Sequence, residues 1–77
     1  MNKSMIILDM YDDLVEGRLV SAEDSCVKYD ISISSFYRYL TTVREYIRVR
    51  RNHTLKYDKK TKSYRYADTI LSSGEEE

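Results

Sequence analysis

The spacing of apolar side chains changes period near residue 52, and this change limits the possible folds more than any other feature of the sequence. Before it, Phe36, Leu40, Val43 and Ile47 recur at steps of four, three and four, the repeat of one helix face. After it, Leu55, Tyr57, Tyr64 and Tyr66 alternate with Lys56, Asp58, Ser63, Arg65 and Asp68, the repeat of a strand. A chain of 77 residues makes one domain, so helix and strands must share one core. A domain this small buries only about 60% of the surface its unfolded form exposes. Its single cysteine offers no internal disulfide to compensate.

The remaining elements follow from caps and stripes. Ser4 is read as the N-cap of a first helix over 5–16. Ile7, Met10, Tyr11 and Leu14 form its inner stripe, and Asp9, Asp12, Asp13 and Glu16 its wet side. Gly17 is a natural stop. Leu19 and Val20 make a short apolar link, with one residue pair of β structure as an option. Ser21 caps a second helix over 22–29, with Ala22, Cys26 and Tyr29 facing inward and Ser25 beside them. Asp30 stands at a sharp turn, where aspartate tolerates the left-handed conformation. Ser32 caps a third helix from 33 to about 48, with Asn52 a later candidate for its end. A β-hairpin over 54–58 and 63–67 closes the pattern. Its tyrosine face is expected to pack on the helices, and its tip has no glycine to fix a turn type. The fold class is therefore α+β, three helices followed by a two-stranded hairpin. Residues 1–67 form the domain, and 68–77 form an acidic tail without periodicity, expected to be mobile.

The formal net charge is zero, but it is segregated. Residues 1–30 carry three basic and seven acidic side chains, net −4. Residues 31–66 carry ten basic side chains against Glu45 and Asp58, net +8. The last eleven residues carry four acids and no base. One strongly basic half in a neutral chain implies a partner for that half. No apolar run is long enough to span a membrane, and Asp9 interrupts the apolar patch at the N-terminus, so a cytoplasmic location is expected. His53 has no cluster of ligands around it, Cys26 lies on an apolar face, and Asp12 and Asp13 point in different directions as sequence neighbours. The expectation is no enzyme, no metal, no cofactor and no small-molecule ligand.

Helix, helix, tight turn, helix and basic hairpin, in that order, suit double-stranded DNA. A helix fits the major groove, where every base pair shows a distinct pattern of donors and acceptors, and the preceding helix crosses the backbone and sets its angle. The segment Val20-Ser21-Ala22-Glu23, with Tyr29-Asp30-Ile31-Ser32-Ile33-Ser34-Ser35-Phe36-Tyr37-Arg38-Tyr39-Leu40, resembles the DNA-binding domain of the DeoR-like and WYL-type bacterial regulators. Leu55-Lys56-Tyr57-Asp58 through Ser63-Tyr64-Arg65-Tyr66 resembles their wing. The likeness covers roughly residues 5–67 and implies a winged helix-turn-helix. Ser25 stands where those families usually have leucine, and Asp30 where they have glycine. The stretch after Val43 is longer than theirs, filled by Arg48, Val49, Arg50 and Arg51. Their effector domain has no counterpart in these residues, so ligand sensing is not implied.

The helical wheel and the resemblance select the same candidates for DNA contact. Ser34, Ser35 and Arg38 are expected at base edges, with Arg38 suited to guanine. Tyr37, Thr41 and Thr42 lie on neighbouring faces. Ser32 is a cap whose adjacent amides can meet a phosphate. Lys59, Lys60 and Lys62 are expected on phosphates or in the minor groove, while Arg44, Arg48, Arg50 and Arg51 are left without an assigned role. The expected function is a small transcriptional regulator of a bacterium, phage or mobile element, binding as a homodimer. The alternative is a winged-helix module that docks proteins without binding DNA. The acidic tail folding back as a DNA mimic is a third reading.

Overall fold

A computed structural model of the chain describes residues 1–67. The acidic tail read at 68–77 lies outside the described residues. The elements run α1 (Lys3–Val15), β1 (Val20–Ser21), α2 (Ala22–Tyr29), α3 (Ile33–Arg51), β2 (Thr54–Asp58) and β3 (Ser63–Ala67). The architecture is α+β, three helices against a three-stranded antiparallel sheet of order β1-β3-β2.

The expected two-stranded hairpin is corrected by one strand. Val20 and Ser21 pair with Tyr64 and Ser63, so the link between the first two helices adds to the hairpin's far edge. Two residues carry too little pattern to be read as a strand alone. They are held because their backbone groups meet those of β3, which β2 leaves unpaired on that side.

Each helix begins on a side-chain cap. Asn2, not Ser4, caps α1, its Oδ1 accepting the Met5 amide at 2.9 Å. Asparagine and serine cap equally well. Ile6, four residues before Met10 and eight before Leu14, is buried on their face, and Ile7 is only half-buried. Ser21 accepts the Asp24 amide at 3.0 Å, and Ser32 the Ser35 amide at 3.1 Å. The helices end on left-handed residues. Gly17, at φ +90°, closes α1 with Gly17 N–H on the Leu14 carbonyl and Arg18 N–H on that of Asp13, a Schellman motif. Asp30 (φ 56°) ends α2, as its position suggested, and Asn52 (φ 57°), the later of the two expected ends, caps α3, whose last residue Arg51 is three beyond 48.

The core is built by α1 and α3. Ile6, Met10 and Leu14 meet Phe36, Leu40, Val43 and Ile47, with Val20 and Leu55 from the sheet. The buried set on α3 is the one its periodicity gives. Leu55 and Tyr66 are register partners, as are Tyr57 and Tyr64. Leu55 is buried and Tyr64 and Tyr66 pack against the core, but Tyr57 is 50% exposed, which corrects its expected burial. It lies next to the turn and meets the Tyr64 ring at a tilt of 53°, ring centroids 4.9 Å apart, without reaching the core.

No apolar side chain of α2 is fully buried; its one buried residue is Ser25. Polar ties hold this helix to α1 instead. The Tyr29 hydroxyl donates to Asp9 Oδ2 at 2.5 Å, and Lys28 Nζ lies 3.2 Å from Asp9 and 3.6 Å from Asp13. Asp9 is thus half-buried and bonded, not simply on the wet side of its helix. The Tyr29 bond, with Lys28 adding to it, holds the Asp9 carboxyl below its ordinary value. Burial first, and then Asp9, pushes the Tyr29 phenol up to about 12. A depressed Asp9 means that the unfolded chain takes up the proton first. The stability from this contact is complete above the unfolded value of 3.8 and is lost as pH falls through the folded one. Tyr29→Phe is expected to raise the Asp9 titration followed by carboxylate NMR, and to move the acid-unfolding midpoint to higher pH. An unchanged midpoint would show that Lys28 alone anchors the carboxylate.

Candidate nucleic-acid interface

The candidate surface begins at the start of α3. With Phe36, Leu40, Val43 and Ile47 committed to the core, the 3.6-residue repeat turns Ser34, Arg38, Thr41 and Thr42 outward. All four are exposed, and Tyr37 is 45% exposed on the flank toward the hairpin. Ser32, Ser35 and Arg38 form one bonded group. Ser32 Oγ donates to Ser35 Oγ at 3.1 Å, and an Arg38 terminal nitrogen donates to the same oxygen at 3.3 Å. The Arg38 guanidinium also lies 6.0 Å from the Tyr39 ring centroid. The guanidinium is therefore steadied by Ser35 and Tyr39, with most of its five donors unused.

The two threonines are chemically less free than their sequence positions suggest. Thr41 donates to the Tyr37 carbonyl at 2.8 Å, and Thr42 to the Arg38 carbonyl at 3.3 Å. Their hydroxyl protons are committed to the helix backbone. Each still presents oxygen lone pairs and a methyl group to anything that lies on α3. Seven residues after Arg38, on the same face and ~10 Å along the axis, stands Glu45. Arg48 reaches it at only 3.8 Å. Glu45 weakens this face locally, while Arg44, Arg48, Arg50 and Arg51 keep the second half of α3 basic overall.

Aromatic contacts fix the hairpin against this region. Phe36 lies 5.1 Å from Tyr37 and 6.5 Å from Tyr64, ring centre to ring centre. Burial raises the Tyr64 phenol, and the adjacent Tyr37 phenol adds to the shift while Arg44 opposes it. Tyr64 follows the turn by two residues, so the turn end of the hairpin lies beside the first turns of α3. The opposite end of the hairpin meets α1. There Arg51 Nε donates to the Tyr11 hydroxyl at 2.7 Å, and His53 bonds the Tyr66 hydroxyl. Arg51, which had no assigned role, thus ties the end of α3 to α1.

Lys59, Lys60 and Lys62 are exposed around the turn. The turn needs no glycine. Asp58 Oδ1 accepts the Lys60 amide at 2.9 Å, and Lys62 takes the left-handed conformation at φ 54°. The lysine tip and the Ser34–Arg38 turn share one end of the domain, but the structure records no contact between them.

Charge pairing separates the two halves of the protein. Arg18 lies 3.4 Å from Asp13 and 2.5 Å from Glu16, and Lys28 serves Asp9 and Asp13. Of the ten cations in residues 31–66, only Arg48 has a carboxylate within 4.0 Å among the described residues. Arg44, Lys56 and Arg65 were absent from the sequence-based candidates. Lys56 and Arg65 could have been found only by knowing the strand register. No group of three His, Cys, Asp or Glu side chains among the described residues is placed to hold a metal. No helix there is long and apolar enough to cross a membrane.

No known protein family, curated protein or solved structure matches this chain.

Proposed function

We propose that this chain is a winged helix-turn-helix that binds double-stranded DNA and serves as a small transcriptional regulator. In this reading α3 enters the major groove by its first turns, and the β2–β3 hairpin is the wing. Arg38 reads a base edge, the donor-rich partner of guanine O6 and N7. Ser34 and Ser35 contact bases or the adjoining phosphate, and Thr41 and Thr42 offer acceptors and methyl groups. Tyr37 reaches a phosphate or a thymine methyl. Lys59, Lys60 and Lys62 neutralise phosphates from the wing tip. The observation that carries the reading is that Arg38 on α3 and Lys59, Lys60 and Lys62 at the hairpin turn have no described carboxylate within 4.0 Å, while Tyr64, just after that turn, lies beside Phe36 in the first turn of α3. The resemblance to the DeoR-like and WYL-type domains supports it independently of charge. A single module covers only about 600–1,000 Å² of DNA-facing surface, so two copies on a two-fold or repeated site are proposed.

The test is selection of bound sequences from a random duplex pool, followed by Arg38→Ala. Loss of a base-reading arginine should weaken binding to the selected site by about 1–3 kcal/mol and relax preference at one base pair. Binding to an unrelated duplex should change far less. Equal losses on both would make Arg38 a phosphate contact. A native chain that binds no duplex at low salt would overturn the reading in favour of protein docking.

A further inference from the structure

The register of the hairpin sets Lys56 directly opposite Arg65. Both are exposed, on the face opposite Leu55, Tyr57, Tyr64 and Tyr66, and hence turned away from the helices. Neither has a carboxylate within 4.0 Å among the described residues. Like charges directly opposite each other on a sheet are unfavourable, and opposite charges are favourable. Asp58, the one acid of the hairpin, does not relieve the pair, since it is turned to the Lys60 amide. The strand pairing is thus weaker here than the same backbone could be with a lysine–glutamate pair.

The geometry points to a second anion-binding face, formed by Lys56 and Arg65 on the outer side of the hairpin, that takes the phosphodiester backbone of a nucleic acid. Two cations across neighbouring strands sit ~5 Å apart at the backbone. Their flexible stems can converge on one phosphate or span two adjacent ones. This face looks away from α3, so the phosphates it meets are not those over the reading helix. They belong to a flanking stretch of the same duplex, on the far side of the ribbon, or to a second duplex. The proposal uses the DNA reading only to name the anion; it does not depend on Arg38 or on sequence-specific readout.

Lys56→Glu tests it, because the two consequences have opposite signs. The change places an opposite-charge pair across the strands. The melting temperature should rise by roughly 2–6 °C. Affinity for duplex DNA should fall about tenfold near ~0.1 M salt, with a shallower salt dependence, as expected when one phosphate is no longer neutralised. Lys3→Glu on α1 makes the same change in net charge outside both basic elements and serves as the control for long-range field.

Binding is read on a duplex that covers only the selected site, on one extended at both flanks, and by energy transfer between two labelled duplexes. A loss confined to the extended duplex assigns the face to flanking backbone; a loss of transfer assigns it to a second duplex. A raised melting temperature with DNA binding no weaker than in the Lys3→Glu control would overturn the proposal and leave an ordinary solvated face. If Lys56→Glu acts while Arg38→Ala does not, the outer face stands and the reading-helix proposal falls; the reverse result separates them equally well.

Discussion

Phe36→Ala is expected to remove a large share of the domain's stability at 25 °C. Phe36 is fully buried, the largest such side chain, and sits in the first turn of α3. Truncating a buried phenylalanine costs about 3–5 kcal/mol, part lost transfer energy and part cavity. A domain of this size has roughly 4–12 kcal/mol in total. The position also links layers, because the Phe36 ring adjoins Tyr37 on its own helix and Tyr64 on β3. Its loss should therefore loosen the hairpin before α1 separates from α3. Urea unfolding followed by circular dichroism measures the first effect. Amide exchange at Tyr64 and Tyr66, compared with Met10 and Leu14, measures the second. Phe36→Leu keeps most of the apolar volume and should cost less than about 2 kcal/mol. Equal tolerance of alanine and leucine would mean that Phe36 does not join the helices to the sheet.

Replacing Lys59, Lys60 and Lys62 together by alanine is expected to leave stability almost unchanged and to cut duplex affinity steeply. All three are exposed and have no carboxylate partner among the described residues, so nothing in the fold rests on their charge. The turn is held by Asp58 and the backbone, although an alanine in place of Lys62 would have to keep that residue's left-handed conformation. Lys62→Gly is the better replacement if the turn proves strained. If each lysine neutralises one phosphate, the slope of log affinity against log salt should become about 3 units less negative. Affinity near ~0.1 M salt should fall by two to three orders of magnitude. Base preference from the random-pool selection should survive, because phosphate contacts position a protein without reading sequence. An unchanged slope would place the hairpin tip away from the DNA and remove the wing from the proposed function.

The apolar periodicity of α3 was legible in the sequence because helix geometry converts spacing directly into a face. Phe36, Leu40, Val43 and Ile47 are all buried. The caps at Ser21 and Ser32, the left-handed Asp30 and the two hairpin strands were legible for similarly local reasons: each depends on a few neighbouring residues. The order of positive and negative segments was also plain. What these could not give were relations between distant segments. Val20 and Ser21 become a strand only because β3 offers them a free edge. Tyr57 and Tyr66 share a strand pattern, yet one is half exposed and the other packs on the core, because Tyr66 lies on the central strand β3 and Tyr57 on the edge strand β2 beside the turn. Asp9 reads as a solvated helix acid until Tyr29, twenty residues later, is brought against it. The opposition of Lys56 and Arg65 depends on strand register, which a four-residue turn without glycine does not announce. The sequence alone determined the three helices, the two hairpin strands and where the charge lies along the chain, but not the strand at Val20–Ser21. The tertiary structure decided which charges are neutralised and which face outward. That division follows from range: a dihedral preference or a cap is settled within one turn, whereas burial and ion pairing need partners supplied by the closed fold.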